Sequence, residues 1–350
     1  MNDFLQSVGI DIAKDKFDVC FKERKNGRSV VKGTKTFKND SKGFLDFHLW
    51  YLKRRKENSQ LVFVMEATGI YYEELAYFLH SKNEVIYVEL PQKVKYFAKS
   101  LNIKTKTDKV DAKLIADIGL ERSSSLKSWN PPSEQFKAIR DLCREISQLK
   151  KNKSAASSRL HAWNTAHNTI PEVIKAAEEH LDILGQLIKK MEGLLLERVK
   201  QDEKLYEKIE RIAQVKGLGV LSVTKVIAET NGFLLFNSIR QLVSYAGLDV
   251  IQEESGQYKG KSRLSKKGNA HLRAALYMPA VTAVTHNENL KEFYTRLNKK
   301  FNYKKQSLVA VMRKLLILIY TLWKSGKDYN PHHQWQEKRR EVSLPPLDSY

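Results

Sequence analysis

Ser7-Val8-Gly9-Ile10-Asp11-Ile12-Ala13 is a short, mostly apolar run with an acidic residue near its end. A run of this length, bounded by polar sequence, predicts a buried β-strand. Two further predicted strands, Phe17–Lys22 and Val30–Phe37, are joined through the turn-forming pair Asn26-Gly27. The chain is therefore predicted to open with an antiparallel meander of three strands.

Strand and helix patterns alternate after this meander. A predicted helix over residues 41–56 precedes a strand at Leu61–Glu66, and a predicted helix over Tyr71–His80 precedes a strand at Val85–Leu90. Three antiparallel strands followed by strand and helix repeats are the order of a ribonuclease H-like fold. We therefore predict an α/β domain of this kind over residues 1–128.

The pattern changes after Trp129-Asn130-Pro131-Pro132, which interrupts any helix. Apolar residues then recur every three or four positions, which predicts two long helices and a coiled-coil linker over residues 129–210. The core of a helical bundle and a dimerisation arm fit this pattern about equally, and the length of the helices in so basic a chain favours assembly. A mainly α-helical domain over residues 211–328 and a poorly packed basic tail over residues 329–350 are predicted to follow.

The chain is strongly basic, with 61 Lys and Arg against 40 Asp and Glu and a formal net charge of +21. Such a surface attracts polyanions, of which nucleic acid is the leading candidate and an anionic membrane the alternative. The longest apolar run, Leu315–Tyr320, is far shorter than the roughly 20 residues of a spanning helix, so we expect no membrane partner. Cys20 and Cys143 form no disulfide or zinc motif, and no secretion signal is recognised, so the expected location is the cytoplasm, at the nucleoid when the protein acts on DNA.

Four acidic residues occupy positions suited to a metal site. Asp11 and Glu66 end predicted strands, and Asp108 and Asp111 are three residues apart, on one face of a helix. Three of them have an ordinary alternative: a turn residue for Asp11, a solvated side chain for Glu66, and a helix cap for Asp108. However, Glu66 ends a wholly apolar strand, where an unpaired carboxylate is costly and a metal would remove the cost. The four carboxylates therefore predict a Mg²⁺ site for phosphodiester chemistry.

Two cationic segments are candidates for nucleic-acid binding. The first interleaves lysines with Tyr96 and Phe97, as a stacking track does, although a solvated face would look the same. Its candidate residues are Lys93, Lys95, Lys99, Lys104 and Lys106. The second has no acidic residue between Tyr258 and Arg273. A segment that is merely solvated rarely has charges of one sign only. Its candidate residues are Lys259, Lys261, Arg263, Lys266, Lys267 and Arg273.

A glycine turn, Gly217-Leu218-Gly219, precedes another predicted helix. Backbone amides at Gly217 and Gly219 could approach a phosphate closely, as in a helix-hairpin-helix that contacts DNA. An ordinary tight turn between helices fits the same residues equally well.

Together these motifs resemble the insertion-sequence 110 family of DEDD transposases. The resemblance extends from about residue 7 to about residue 325, and it is carried by Gly9-Ile10-Asp11, Glu66-Ala67-Thr68-Gly69, Lys106–Ala112, Gly217-Leu218-Gly219, Ala246-Gly247-Leu248 and Ser265–Ala280. It implies a RuvC-like amino-terminal domain, a coiled-coil linker and a carboxy-terminal transposase domain. It also implies that Asp11, Glu66, Asp108 and Asp111 hold Mg²⁺.

The resemblance further implies a nucleophile, Ser255, for which the residues alone predict only a hairpin turn. Tyr258 is a neighbouring hydroxyl that we rank below it. The implied activity is a recombinase that cuts and rejoins donor and target double-stranded DNA, guided by a structured noncoding RNA, the bridge RNA. Because Ser255 and the carboxylates fall in different predicted domains, we expect active sites shared between protomers of a homodimer, with two dimers forming a tetramer.

Two alternatives remain open. One is an enzyme of the same fold that works without guide RNA, as a DNA invertase or a branched-DNA (Holliday junction) nuclease. The sequence separates it poorly from a guided recombinase, because RNA is bound largely through shape and backbone. The other is a basic architectural or RNA-binding protein, which would leave the four acidic residues and Ser255 unexplained.

Overall fold

The computed structural model describes residues 6–25, 27–56, 59–102, 107–122, 126–234, 236–256, 258–260 and 262–331. The chain divides into two compact units, Met1–Pro131 and Pro132–Tyr350.

The first unit is a five-stranded mixed sheet with helices on both faces. Its strands are β1 (Gln6–Ile12), β2 (Lys16–Lys25), β3 (Arg28–Lys38), β4 (Leu61–Glu66) and β5 (Val85–Glu89), and its helices are α1 (Ser41–Leu52), α2 (Glu73–Ser81), α3 (Pro91–Ser100) and α4 (Asp108–Arg122). The strand order is β3-β2-β1-β4-β5, with β1, β2 and β3 antiparallel and β1, β4 and β5 parallel. The predicted succession of three antiparallel strands followed by strand and helix repeats is therefore confirmed.

The two faces of this sheet bury different side chains. Val8, Ile10 and Ile12 of β1 belong to an aromatic-rich core under α1 and α2. The alternate residues of β1 point to the opposite face, where α4 lies against Gly9. Asp11 shares that face, at the carboxyl end of the strand.

Gly9 allows α4 to lie directly on β1. A Cβ at this position would lie 2.1 Å from the backbone nitrogen of Ala116 and 2.2 Å from the carbonyl oxygen of Ala112. Because backbone atoms cannot rotate away, we expect Gly9→Ala to lower the free energy of unfolding by about 1–3 kcal/mol or more. Denaturant unfolding measures this loss, and Gly193→Ala is the control because its Cβ would meet no atom within 4 Å. Equal stability of Gly9→Ala and the wild type would contradict this packing.

The edge strand β3 is unlike the strands inside the sheet. Most of its 11 residues are exposed. Its cationic residues are Arg28, Lys32, Lys35 and Lys38.

The second unit is mainly α-helical. Its helices are α5 (Glu134–Thr165), α6 (Pro171–Lys200), α7 (Glu203–Ala213), α8 (Val220–Glu229), α9 (Ile239–Ala246), α10 (Ala270–His286), α11 (Glu288–Asn298) and α12 (Lys304–Ser325). Between α9 and α10 lie the two-residue strands β6 (Val250–Ile251), β7 (Glu254–Ser255), β8 (Tyr258–Lys259) and β9 (Arg263–Leu264), which pair as β6 with β9 and β7 with β8.

The helices α5 and α6 are the two long helices that the sequence predicts. Leu149 and Ala156 of α5 form one buried cluster with Leu184 and Ile188 of α6, so the pair is a helical hairpin. A dimerisation role for this hairpin stays a prediction.

The helix α12 is long and apolar enough to cross a membrane, by length and composition alone. The short apolar run at Leu315–Tyr320 did not indicate this. However, Val311, Leu315 and Ile319 are fully buried in the core of the second unit, so α12 serves here as a core helix.

Candidate active site

Asp11 and Glu66 are adjacent because β1 and β4 are parallel neighbours. Ile10 is in register with Met65, so the next residue of each strand lies at the same edge of the sheet. Asp108 and Asp111 occupy the first turn of α4, the helix that Gly9 allows to rest on β1. The structure therefore brings all four predicted carboxylates to one end of the sheet.

The pKa of Asp11 is raised by burial and by the neighbouring carboxylates. Burial, followed by repulsion from Asp111, Glu66, Asp108 and Asp18, raises the pKa of Asp11 from its ordinary value of 3.8 to about 6. Like charges that share a site disfavour ionisation in this way. A positive charge at this position would relieve the repulsion.

Asp108 is not the N-cap residue of α4. The Thr107 Oγ1 atom accepts a hydrogen bond of 3.3 Å from the backbone nitrogen of Val110, and Asp108 is the first residue of the helix itself. A carboxylate in the first turn is stabilised by the helix dipole.

Two residues that sequence reasoning missed belong to this cluster. Asp18 of β2 pairs directly with Asp11 in the β1–β2 ladder and is only 5% exposed. Its carboxylate accepts hydrogen bonds from Thr36 Oγ1 and, at 3.3 Å, from Lys16 Nζ. The same Lys16 ammonium donates to Asp108 Oδ2 at 2.9 Å. Only the pairing of β1 with β2 could have revealed these residues.

The donor chemistry of this cluster fits a divalent cation. Carboxylate oxygens are the ligands that Mg²⁺ prefers, and a cation would relieve the repulsion on Asp11. Within the described ranges, no three His, Cys, Asp or Glu side chains are grouped as ligands of one ion, and Asp108 is bonded to Lys16 instead. The side chains must therefore rotate towards a bound ion, whereas the backbone already brings them together.

Metal binding is expected to strengthen as the pH rises through about 6. Protonated Asp11 favours the metal-free fold, so between its unfolded and folded pKa values the stability of the metal-free protein falls as the pH rises. The ionised carboxylate is the ligand form, so the rise in melting temperature on adding Mg²⁺ should grow over the same interval. Thermal unfolding with and without Mg²⁺ measures this, and Asp11→Asn should remove the pH dependence. A Mg²⁺ effect that is constant from about pH 5 to about pH 8 would contradict the assignment of Asp11.

Ser255 lies in the tight hairpin of β7 and β8, so the turn predicted from its sequence is present. It pairs with Tyr258 across the hairpin, and Gly256 turns the chain with a φ of +56°. Directly opposed side chains lie on the same face of a hairpin. Ser255 is exposed and Tyr258 is 67% exposed, so the two hydroxyl-bearing side chains share one accessible surface.

The first cationic segment coincides with α3. Lys93, Lys95 and Lys99 are exposed, and Lys93 forms an ion pair of 2.8 Å with Glu89. Tyr96 is 52% exposed, but Phe97 is 2% exposed and belongs to the core, so the prediction that both rings are available for stacking is wrong for Phe97. Lys104 and Lys106 lie outside the described residues.

The second cationic segment surrounds the start of α10. Lys266 and Lys267 are exposed, and Arg263 forms an ion pair with Glu253. Arg273 is half-buried, and its Nη1 donates to the carbonyl oxygens of Ala246 and Gly268, at 2.9 and 3.2 Å. The Nη1 atom of Arg273 therefore links the end of α9 to the loop before α10. The Lys259 side chain and Lys261 lie outside the described residues.

The glycine turn joins α7 to α8. A Cβ on Gly217, whose φ is +103°, would lie 2.5 Å from the Cβ of Ala283 in α10. Gly217 is therefore needed for internal packing, as in an ordinary tight turn. Gly219 begins α8 with open space around it, so it is the residue of this turn that a phosphate could approach.

An ion pair between the exposed Arg144 and the buried Glu229 supports the second cationic segment. Arg144 donates to Glu229 through Nε at 2.8 Å and through Nη2 at 3.0 Å, and Asn269 Nδ2 donates to the same carboxylate at 2.7 Å. Burial alone would raise the pKa of Glu229, but the bonds from Arg144 and Asn269 hold it below its ordinary value. Asn269 also caps α10 by accepting from the backbone nitrogen of Leu272, so this network fixes the start of the helix that follows Lys266 and Lys267.

Comparison with known proteins covers both units. Residues 8–165 match a family model described as a DEDD transposase of the IS110 type, and residues 209–295 match the model of the IS116/IS110/IS902 transposase family. The pilin gene-inverting protein of Moraxella bovis is 28% identical over 326 residues, 92% of this chain and 97% of that protein. The transposase for insertion sequence element IS1111A of Coxiella burnetii is 23% identical over 224 residues, 57% of this chain and 59% of that protein.

Among solved structures, Thermus thermophilus RuvC aligns with 35% of this chain and 99% of its own, at a TM-score of 0.27 and 14% identity. The sequence matches carry the assignment, because two models of one family cover most of the chain in the expected order. The protein belongs to the insertion-sequence 110 family of DEDD transposases and is a DNA transposase or recombinase.

Proposed function

We propose that this protein is the recombinase of an insertion sequence, guided by a bridge RNA, which cuts and rejoins donor and target double-stranded DNA. The observation that carries the proposal is the acidic cluster, in which four carboxylates from three elements converge and repel one another at Asp11. A cluster of this kind suits a cation-dependent phosphodiester reaction, within a strongly basic chain that attracts nucleic acid.

Asp11, Glu66, Asp108 and Asp111 are the residues that would hold the metal, with Mg²⁺ as the proposed ion. When bound, it would neutralise charge on the scissile phosphate. The Ser255 hydroxyl attacks the phosphorus, so that an Oγ–P bond forms, the P–O3′ bond breaks and a 3′ hydroxyl leaves. The covalent phosphoserine conserves the energy of the broken bond, which allows the strands to be exchanged and rejoined.

The remaining parts of the proposal concern binding and assembly. The exposed lysines of α3 and of the segment before α10 are proposed to contact nucleic-acid backbones, which predicts binding that weakens steeply with salt. The α5–α6 hairpin is proposed to support a homodimer that assembles into a tetramer. The protein would act in the bacterial cytoplasm, at the nucleoid.

An RNA-independent DNA invertase is the second candidate. It is favoured by one observation, the alignment of pilin gene-inverting proteins over nearly the whole length of the chain. Both candidates use the same carboxylates and the same serine, and they differ in whether a guide RNA is bound.

A single purification distinguishes the guided recombinase from the RNA-independent invertase. The protein is expressed with the DNA that flanks its gene and purified at high salt, and any bound RNA is sequenced. One discrete RNA with two loops complementary to the element ends and to the insertion site would support guidance, whereas heterogeneous RNA would favour the invertase.

The covalent step is tested with DNA that is labelled at its 3′ end. The wild type is expected to give a labelled protein–DNA adduct on a denaturing gel, and Ser255→Ala is expected to give none. Ser262→Ala is the matched control, because Ser262 is exposed in the same segment. An adduct that persists in Ser255→Ala would exclude this serine as the nucleophile.

A further inference from the structure

Lys16 lies inside the acidic cluster, where its ammonium group bonds two of the carboxylates. Its Nζ atom is 2.9 Å from Asp108 Oδ2 and 3.3 Å from Asp18 Oδ2. We propose that Lys16 is the internal counter-ion of the cluster: it bridges Asp18 and Asp108 when no divalent cation is bound and gives up Asp108 when one binds. This inference rests on the proposed metal site and adds a residue that controls its affinity.

The position of Lys16 follows from the sheet. Lys16 and Asp18 are two residues apart on β2 and therefore lie on the same face. Asp18 pairs with Asp11, so this face is also the one that carries Asp11 towards α4. The Lys16 ammonium thus joins β2 to the first turn of α4, across the end of β1.

The two ends of the bridge differ in how firmly they are held. The Asp18 side chain is 8% exposed and is also bonded to Thr36. The Asp108 side chain is 60% exposed and can turn without disturbing the core. When a cation enters, the contact expected to break is therefore that between Lys16 and Asp108, and Lys16 stays with Asp18.

The bridge opposes metal binding for two reasons. Asp108 must exchange its ammonium partner for the metal ion, and a positive charge a few ångströms from a divalent cation repels it. An exposed ion pair of this kind is weak, so Lys16 moderates the affinity and does not block the site. Without metal, Lys16 neutralises part of the charge of the cluster. With metal, it keeps the binding of the ion reversible.

The test compares Lys16→Met with the wild type, using Mg²⁺ or Mn²⁺ alone and no DNA, by isothermal titration calorimetry on the full chain. Removal of the ammonium is expected to lower the dissociation constant by about two- to fivefold. Lys14→Met is the matched control, since it removes the same charge from an exposed lysine two residues away. Lys16→Arg keeps the charge and should retain nearly the wild-type affinity.

The outcomes test the role of Lys16 and the metal site separately. An unchanged dissociation constant in Lys16→Met, or a weaker affinity, would overturn the counter-ion role. A change of the same size in Lys14→Met would also overturn it, because the effect would then be one of general charge. If the wild type binds neither ion, or if Asp11→Asn binds as well as the wild type, the metal site itself fails, and this result is separate from any result on Lys16.

Discussion

Asp11→Asn is expected to reduce DNA strand cleavage by on the order of a thousandfold or more, because a metal-assisted reaction derives several kcal/mol of its barrier reduction from the ion. The same substitution should leave the fold intact. It removes a charge that burial and four neighbouring carboxylates disfavour, so the metal-free protein should unfold at the same temperature as the wild type or at a higher one near neutral pH. A rate assay with labelled DNA and a thermal unfolding curve together measure both effects.

Asp15→Asn is the matched control for this experiment. Asp15 is exposed, lies four residues from Asp11 and is not among the charges that raise the Asp11 pKa. Its substitution should leave the cleavage rate within about twofold, since solvated surface changes rarely have larger effects. Cleavage by Asp11→Asn at one tenth of the wild-type rate or faster would remove Asp11 from the catalytic set.

Arg144→Met is expected to lower the free energy of unfolding by about 1–3 kcal/mol, because it leaves the Glu229 carboxylate, whose side chain is 3% exposed, without its main partner. The wild-type pKa of Glu229 lies below its ordinary value, so the pair stabilises the protein above the unfolded pKa and this contribution is lost as the pH falls through the folded pKa. The difference between variant and wild type should therefore shrink in acid. Denaturant unfolding at neutral and at acidic pH measures it.

The controls for Arg144 separate charge from volume. Lys151→Met removes a positive charge from an exposed position of the same helix and should change stability by less than about 0.5 kcal/mol. The double variant Arg144→Met, Glu229→Met should recover most of the loss, since no buried carboxylate is then left without its partner. A loss below about 1 kcal/mol in Arg144→Met alone would show that Glu229 is well solvated.

The succession of strands and helices along the first unit could be predicted because its signals are local. Apolar runs at β1 and β4, and a turn signal between β2 and β3, define the elements without knowledge of any distant contact. The same pattern placed Asp11 and Glu66 at strand ends, and the pairing of β1 with β4 in the structure brings the two residues together. Asp108 and Asp111 were grouped with them from their residue type and their spacing on one helix face, since nothing local shows that α4 packs on Gly9.

Contacts that depend on register or on distant partners could not be predicted. Lys16 and Asp18 alternate with apolar residues and resemble an ordinary solvated strand face until the β1–β2 pairing places Asp18 opposite Asp11. Arg144 and Glu229 are separated by 85 positions, and neither has a motif around it. Phe97 was misassigned because the side of α3 that packs inwards is set by the sheet beneath it.

The edge strand β3 has a consequence for the behaviour of the protein in solution. The outer side of an edge strand offers backbone hydrogen-bonding groups to any strand that approaches, which is how sheets from different molecules join. In β3 these groups lie among Arg28, Lys32, Lys35 and Lys38, so a second copy that approached in the same way would bring lysine against lysine. The positive charge of this strand therefore protects the protein against aggregation through this edge of its sheet, independently of any part that charge has in binding nucleic acid.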